Sequence, residues 1–167
     1  MKRIWAPWRD KYVVAACKKT KGCIFCKISK EKKDKKNYIF ARTQHSFAVL
    51  NIYPYNNGHA LILPYRHAGD LSKLKKVERE DLVALLNYTK RLLDDVLKPH
   101  GYNIGMNIGK VAGAGVPGHV HFHIVPRWNG DVNFMPVLED TKVISQSLRS
   151  LHEKLSVAYK KRKLKVK

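Results

Sequence analysis

The chain reads as an α+β protein: about five antiparallel strands, one long helix and a second helix near the C-terminus. Three observations predict this. Short apolar runs separated by turn residues fill 38–63, the signature of a meander. Leucines recur at helical spacing through 78–97. Strand-like patterning then returns at 102–108 and 119–125, before helical spacing resumes at Ile144. Strands, then a long helix, then strands suit an α+β domain, and 167 residues favour a single domain with a sizeable core.

Taken in order, residues 1–22 hold Trp5, Trp8 and Tyr12 among charges, and are expected to form an ordered arm over another surface, such as a partner subunit. Cys17 stands alone as a small, buried or semi-exposed residue. Cys23-Ile-Phe-Cys26 supplies two thiols from one knuckle, half of a structural zinc site, with a pair of packed thiols as the plainer alternative. Residues 27–37 are largely charged and read as a solvated loop or a short helical turn. Strands are expected at 38–41, 46–51 and 59–63, with Pro54, Asn56, Asn57 and Gly58 turning the chain between the last two. In the 78–97 helix, Leu82, Leu85, Leu86, Thr89, Leu93, Val96 and Leu97 share one face, and Pro99 and Gly101 end it. A fourth strand follows at 102–108. Ile144, Leu148, Leu151 and Leu155 mark the last helix, and 160–167 form a basic tail.

Composition narrows the function. Lys and Arg number 33 against 13 acidic residues, a formal charge of +20, which attracts polyanions such as nucleotide polyphosphates or nucleic acid. A Lys-rich solvated surface is the alternative, although Glu is scarce for a thermophile pattern. Nucleic acid is not favoured as the main ligand. No apolar run approaches the roughly 18 residues of a membrane span, and Met1-Lys2-Arg3 leads into Trp5, Pro7 and Trp8 rather than an apolar leader. A cytoplasmic protein with no membrane contact is expected.

The chemistry centres on 113–128, GAGVPGHVHFHIVPRW. His119, His121 and His123 alternate with Val120, Phe122 and Ile124. In an extended strand the imidazoles therefore line one face, roughly 6.6 Å apart, with the apolar partners facing the core. Gly113, Ala114, Gly115 and Val116 precede them in a loop whose backbone N–H groups suit an anion such as phosphate. His59, on a neighbouring strand, supports the same pocket or is an ordinary core histidine. Three histidines on one metal are disfavoured, because the end residues of an extended strand are too far apart to share an ion.

His119-Val-His121-Phe-His123-Ile-Val resembles the histidine triad (HIT) signature, in which three histidines alternate with apolar residues. The resemblance extends to 5–9 (WAPWR), 23–26 (CIFC), 51–59 (NIYPYNNGH), 64–67 (PYRH) and 126–131 (PRWNGD). These look like the bacterial and archaeal branch labelled diadenosine tetraphosphate hydrolase or phosphorylase. The resemblance implies a HIT-like fold and a homodimer with a continuous sheet. It also implies structural zinc on Cys23, Cys26, His67 and His119. Its implied activity is cleavage of diadenosine tetraphosphate or related adenosine 5′-phosphoryl compounds.

In that reading His121 is the nucleophile, its tautomer set by the His119 carbonyl, and passes through a nucleotidyl-histidine. His123 bonds phosphate or the leaving oxygen, Asn107 contacts phosphate, and Asn51 contacts ribose. The chain departs from many HIT hydrolases where Gly115 and Val116 replace a Gln-Ser or Gln-Thr pair. Phosphate is then held more by backbone, and the final acceptor, water or inorganic phosphate, stays open. Trp128 is either a base-stacking or a packing aromatic. Removal of a 5′-adenylate from nucleic acid and a nucleotide-binding module with little turnover are the alternative readings.

Overall fold

Apolar residues arrive on both faces of the central strands, and this decides the architecture. The computed structural model describes residues 22–131 and 144–162. Trp5, Trp8, Tyr12, Cys17 and residues 163–167 lie outside them. Five strands, β1 (Ile39–Arg42), β2 (Ser46–Leu50), β3 (Ala60–Pro64), β4 (Gly101–Met106) and β5 (Phe122–Arg127), form one antiparallel sheet in the order β1-β2-β3-β5-β4. SFAVL and ALILP are buried along their whole length, as strands covered on both faces must be.

One face packs against two helices. Helix α3 (Lys76–Leu97) and helix α4 (Leu148–Arg162) bring Leu82, Leu85, Leu92, Leu93, Leu151 and Leu155 onto Phe40, Leu50, Ile62 and Ile124. Each fully buried Leu contributes about 1.5–3 kcal/mol. Helix α3 starts where the Glu78 carboxylate accepts the Lys75 amide at 2.8 Å while also binding Arg66 Nε at 2.8 Å. It ends at Lys98 in the left-handed conformation, just before Pro99.

The other face carries Ile39, Phe47, Val49, Leu61 and Leu63. It is partly covered by Phe25 and Ile28 from helix α1 (Ile24–Lys30), and helix α2 (Asp34–Asn37) leads into β1. His123 pairs with Leu61 in register, so its side chain shares this second face, away from the long helices.

Residues 27–37, read as a solvated loop or a short helical turn, hold the end of α1 and the single turn of α2. One difference from the sequence expectation matters: the triad is not wholly in strand, because β5 begins at Phe122. The Val120 amide instead donates to the Ala68 carbonyl at 2.7 Å, and His119 N bonds Val116 O at 3.1 Å. The alternation nevertheless persists, because Val120 and Ile124 sit in the helix-side core with Phe122 packed against it. No helix among the described residues is long and apolar enough to cross a membrane.

Candidate active site

Each histidine is held by a partner that settles which ring nitrogen bears its proton. His119 is buried, and its Nε2–H donates to the Pro64 carbonyl at 2.9 Å. Its Nδ1 is thereby left basic. That nitrogen lies 3.4 Å from Cys23 Sγ and 3.6 Å from Cys26 Sγ, while His67 Nδ1 lies 3.4 Å from Cys26 Sγ. The donor atoms of Cys23, Cys26, His67 and His119 all fall within 4.8 Å of one another.

A tetrahedral zinc site with Zn–S near 2.3 Å and Zn–N near 2.0 Å has ligand–ligand edges of about 3.5 Å. The four donors are therefore close enough together to hold a metal ion. The bond to Pro64 is the kind of contact that would orient a metal-ligating imidazole. Burial, then the neighbouring Cys23, pushes the Cys26 thiol up; a bound cation reverses this by binding thiolate. Gly118 lies against His67, where a Cβ would meet Nε2 at 3.3 Å.

His121 is also buried, and its Nδ1–H donates to the His119 carbonyl at 2.8 Å. Nε2 is thus its basic nitrogen. Burial pushes this imidazole below its ordinary value, against the opposing effect of that carbonyl, so it is neutral near pH 7. His119 links the two clusters, since its ring faces the thiols while its carbonyl accepts from His121.

His123 lies 4.9 Å from His121, centroid to centroid, and its Nδ1 is 2.9 Å from Nε2 of the buried His59. Tyr55 stacks on His123 at 5.8 Å and lies tilted against His59 at 4.5 Å.

The remaining expected residues fall around this face. Asn51 accepts the Tyr53 amide at 2.9 Å and holds its Nδ2 at 3.4 Å from His59 Nδ1, so its side chain is turned into the β2–β3 turn. Asn107 Nδ2 reaches the Gly113 carbonyl at 3.5 Å. Ala114 is buried, while Gly115 and Val116 are half-buried in the loop before His119. Trp128 is half-buried and donates its amide to Asp131 at 3.2 Å.

Sequence reasoning missed Phe25, whose ring lies 5.6 Å from His119 and 5.2 Å from His121. Its place between the two cysteines was the available signal, because a knuckle that closes on His119 carries its intervening side chains to the triad. Tyr55, Asn56 and Asp131 were missed in the same way, although both their motifs had been singled out.

Residues 32–130 match the family model described as the HIT domain. The chain is 36% identical over 166 residues to the AP-4-A phosphorylase of Mycobacterium tuberculosis, spanning 95% of this chain and 85% of that protein. It is 32% identical over 135 residues to an adenosine 5′-monophosphoramidase of Schizosaccharomyces pombe, spanning 81% and 96%. Its fold is similar to a crystal structure of a Zn-bound histidine triad family protein from Mycobacterium smegmatis. That match has a TM-score of 0.67 and 26% identity, and covers 84% of this chain and 95% of the other.

Proposed function

The chain belongs to the HIT domain family, and from that premise we propose that it is a nucleotidyl hydrolase or transferase. It cleaves diadenosine tetraphosphate or a related adenosine 5′-phosphoryl compound. One observation carries the chemistry: the Nδ1 bond from His121 to the His119 carbonyl, which leaves a neutral, basic Nε2 at the centre of the triad face. Similarity to relatives named for dinucleoside tetraphosphate and adenosine phosphoramidate cleavage supports the substrate class.

His121 Nε2 attacks the α-phosphorus, and the bond to the bridging oxygen breaks. The leaving nucleotide departs as its phosphate oxyanion, hydrogen-bonded by the His123 N–H, and a nucleotidyl-histidine remains. Water then regenerates His121 and releases AMP, or inorganic phosphate does so and releases ADP. The loop N–H groups of Gly113, Ala114, Gly115 and Val116, with Asn107, hold the phosphoryl oxygens, and Asn51 serves the ribose. Cys23, Cys26, His67 and His119 bind zinc, which ties α1 to the triad and takes no part in bond breaking.

Among the described residues β4 pairs only with β5, and Ile104 on it is 47% exposed. This edge is the proposed seam of a homodimer with one continuous sheet.

The deciding experiment is product analysis with diadenosine tetraphosphate, with and without inorganic phosphate, for the native chain and His121→Asn. ADP plus ATP appearing only with phosphate identifies a phosphorylase. AMP plus ATP without phosphate identifies a hydrolase. His121→Asn should abolish either product set, a loss of at least about 10⁴-fold. No turnover in either condition rejects the substrate, and adenosine phosphoramidate and 5′-adenylated DNA become the next compounds to assay.

A further inference from the structure

The geometry points to Asn56 and Asp131 as positioning residues: clasped together, they hold the Tyr55 amide on His59 and so fix the donor direction of the His59–His123 pair. The inference deepens the reading of the triad face as a nucleotidyl-transfer site.

A backbone N–H can only donate. That of Tyr55 meets His59 Nδ1 at 3.0 Å, and Asn51 Nδ2 lies 3.4 Å from the same nitrogen. His59 Nδ1 is therefore an acceptor, and the neutral ring carries its proton on Nε2. Nε2 faces His123 Nδ1 at 2.9 Å, so His59 donates and His123 accepts. Neutral His123 in turn carries its proton on Nε2. His121 has the opposite arrangement, with Nδ1–H on the His119 carbonyl. Two adjacent imidazoles thus hold complementary tautomers: one basic Nε2 for phosphorus and one N–H for the departing oxygen. A carbonyl sets the first and an amide sets the second.

The clasp keeps that amide in place. Asn56 is buried; its Nδ2 donates to the Pro126 carbonyl at 3.0 Å and to Asp131 Oδ2 at 2.8 Å, and its Oδ1 accepts the Asn57 amide at 3.1 Å. The Asn56 carbonyl accepts the His59 amide at 3.1 Å. Asp131 is held in turn by Arg127 Nη2 at 2.9 Å and by the Trp128 amide at 3.2 Å. Gly58 closes the turn at φ +79, so near Leu97 and Pro126 that a Cβ would fall 2.5 Å and 3.0 Å from them. The two motifs at 51–59 and 126–131 thus act as one device. If the clasp is lost, the Tyr55 amide drifts and His59 can carry its proton on Nδ1. His123 then donates to His59 and turns a basic Nε2 toward the leaving group.

The test reads tautomers directly. Full-length protein labelled with ¹⁵N-histidine is examined by long-range ¹H–¹⁵N correlation near neutral pH, with His59→Asn and His123→Asn for assignment. In the native chain both His59 and His123 should carry the proton on Nε2. Asn56→Ala and Asp131→Ala should give mixed tautomers, and should lower kcat by about 10–100-fold with KM changed less than about threefold. Asp131→Asn, which keeps an acceptor oxygen, and Tyr55→Leu, which keeps the amide, should retain the native tautomers. A proton on Nδ1 of His59 in the native chain overturns the proposal, whether or not the variants fold. So do unchanged tautomers in folded Asn56→Ala and Asp131→Ala. Native tautomers without nucleotide turnover would reject the proposed substrate and leave this inference standing.

Discussion

His59 has no exposed surface, yet both its ring nitrogens are within bonding reach of partners. Burial first, then the neighbouring His123 and His121, pushes it down to about 3. In the unfolded chain it titrates near 6.5. Between those values the unfolded state binds a proton that the native state refuses, so stability rises with pH across that window and is lost as pH falls through it. Urea titrations at a series of pH values from about 7 to 3 should show this decline, and His59→Asn should flatten it. An unchanged slope would mean that His59 is not neutral in the native state. Asn51 shows where residue-level reading stopped. The resemblance assigns it to ribose, and its side chain also bonds within the turn beside His59. Side-chain type does not reveal which of several nearby partners a short amide will take.

At the scale of elements, α1 is the one most dependent on its context. Seven residues are too few for a helix to persist alone. It is held by Phe25 and Ile28 on the sheet face and by the clustering of Cys23 and Cys26 with His67 and His119. Cys26→Ser should reduce bound zinc from about one per chain to near zero, measured by elemental analysis. Amide exchange should then quicken across 23–30 while β2 and β3 stay protected. Full zinc retention would exclude Cys26 as a ligand. Helix α3 stands at the other extreme. Its leucines at helical spacing announced both its existence and its buried face, because a lone periodic stripe has one way to cover itself. The observed start at Lys76 lies two residues before the expected one, since the Glu78 carboxylate caps the turn before the apolar pattern begins.

For the whole molecule, the proposed dimer places a second sheet against β4. An exposed apolar residue on an open edge invites pairing, and lysine there discourages it. Ile104→Lys should halve the mass measured by light scattering and leave the far-ultraviolet circular dichroism unchanged. A native chain that is already monomeric would reject the seam. The strand order β1-β2-β3-β5-β4 also explains why the site is assembled from distant segments. β3 and β5 are neighbours, so His59, just before β3, meets His123, 64 positions away.

Periodicity and composition alone determined that this chain builds an α+β domain with strands, a long helix and a triad whose imidazoles share one face. Those properties follow from where each side chain points relative to its immediate neighbours. The resemblance added the proposed metal ligands and the proposed nucleophile. Only the tertiary structure decided that strand β5 starts at Phe122, that α1 carries Phe25 onto His121, and that an amide at Tyr55 sets the tautomer of His59. The first two depend on groups far apart in the chain, such as the 96 positions between Cys23 and His119; Tyr55 and His59 are four positions apart, but the pair passes its direction to His123, 64 positions on. A hydrogen-bond direction at such a site is fixed by which partner the fold delivers, and no local pattern encodes that.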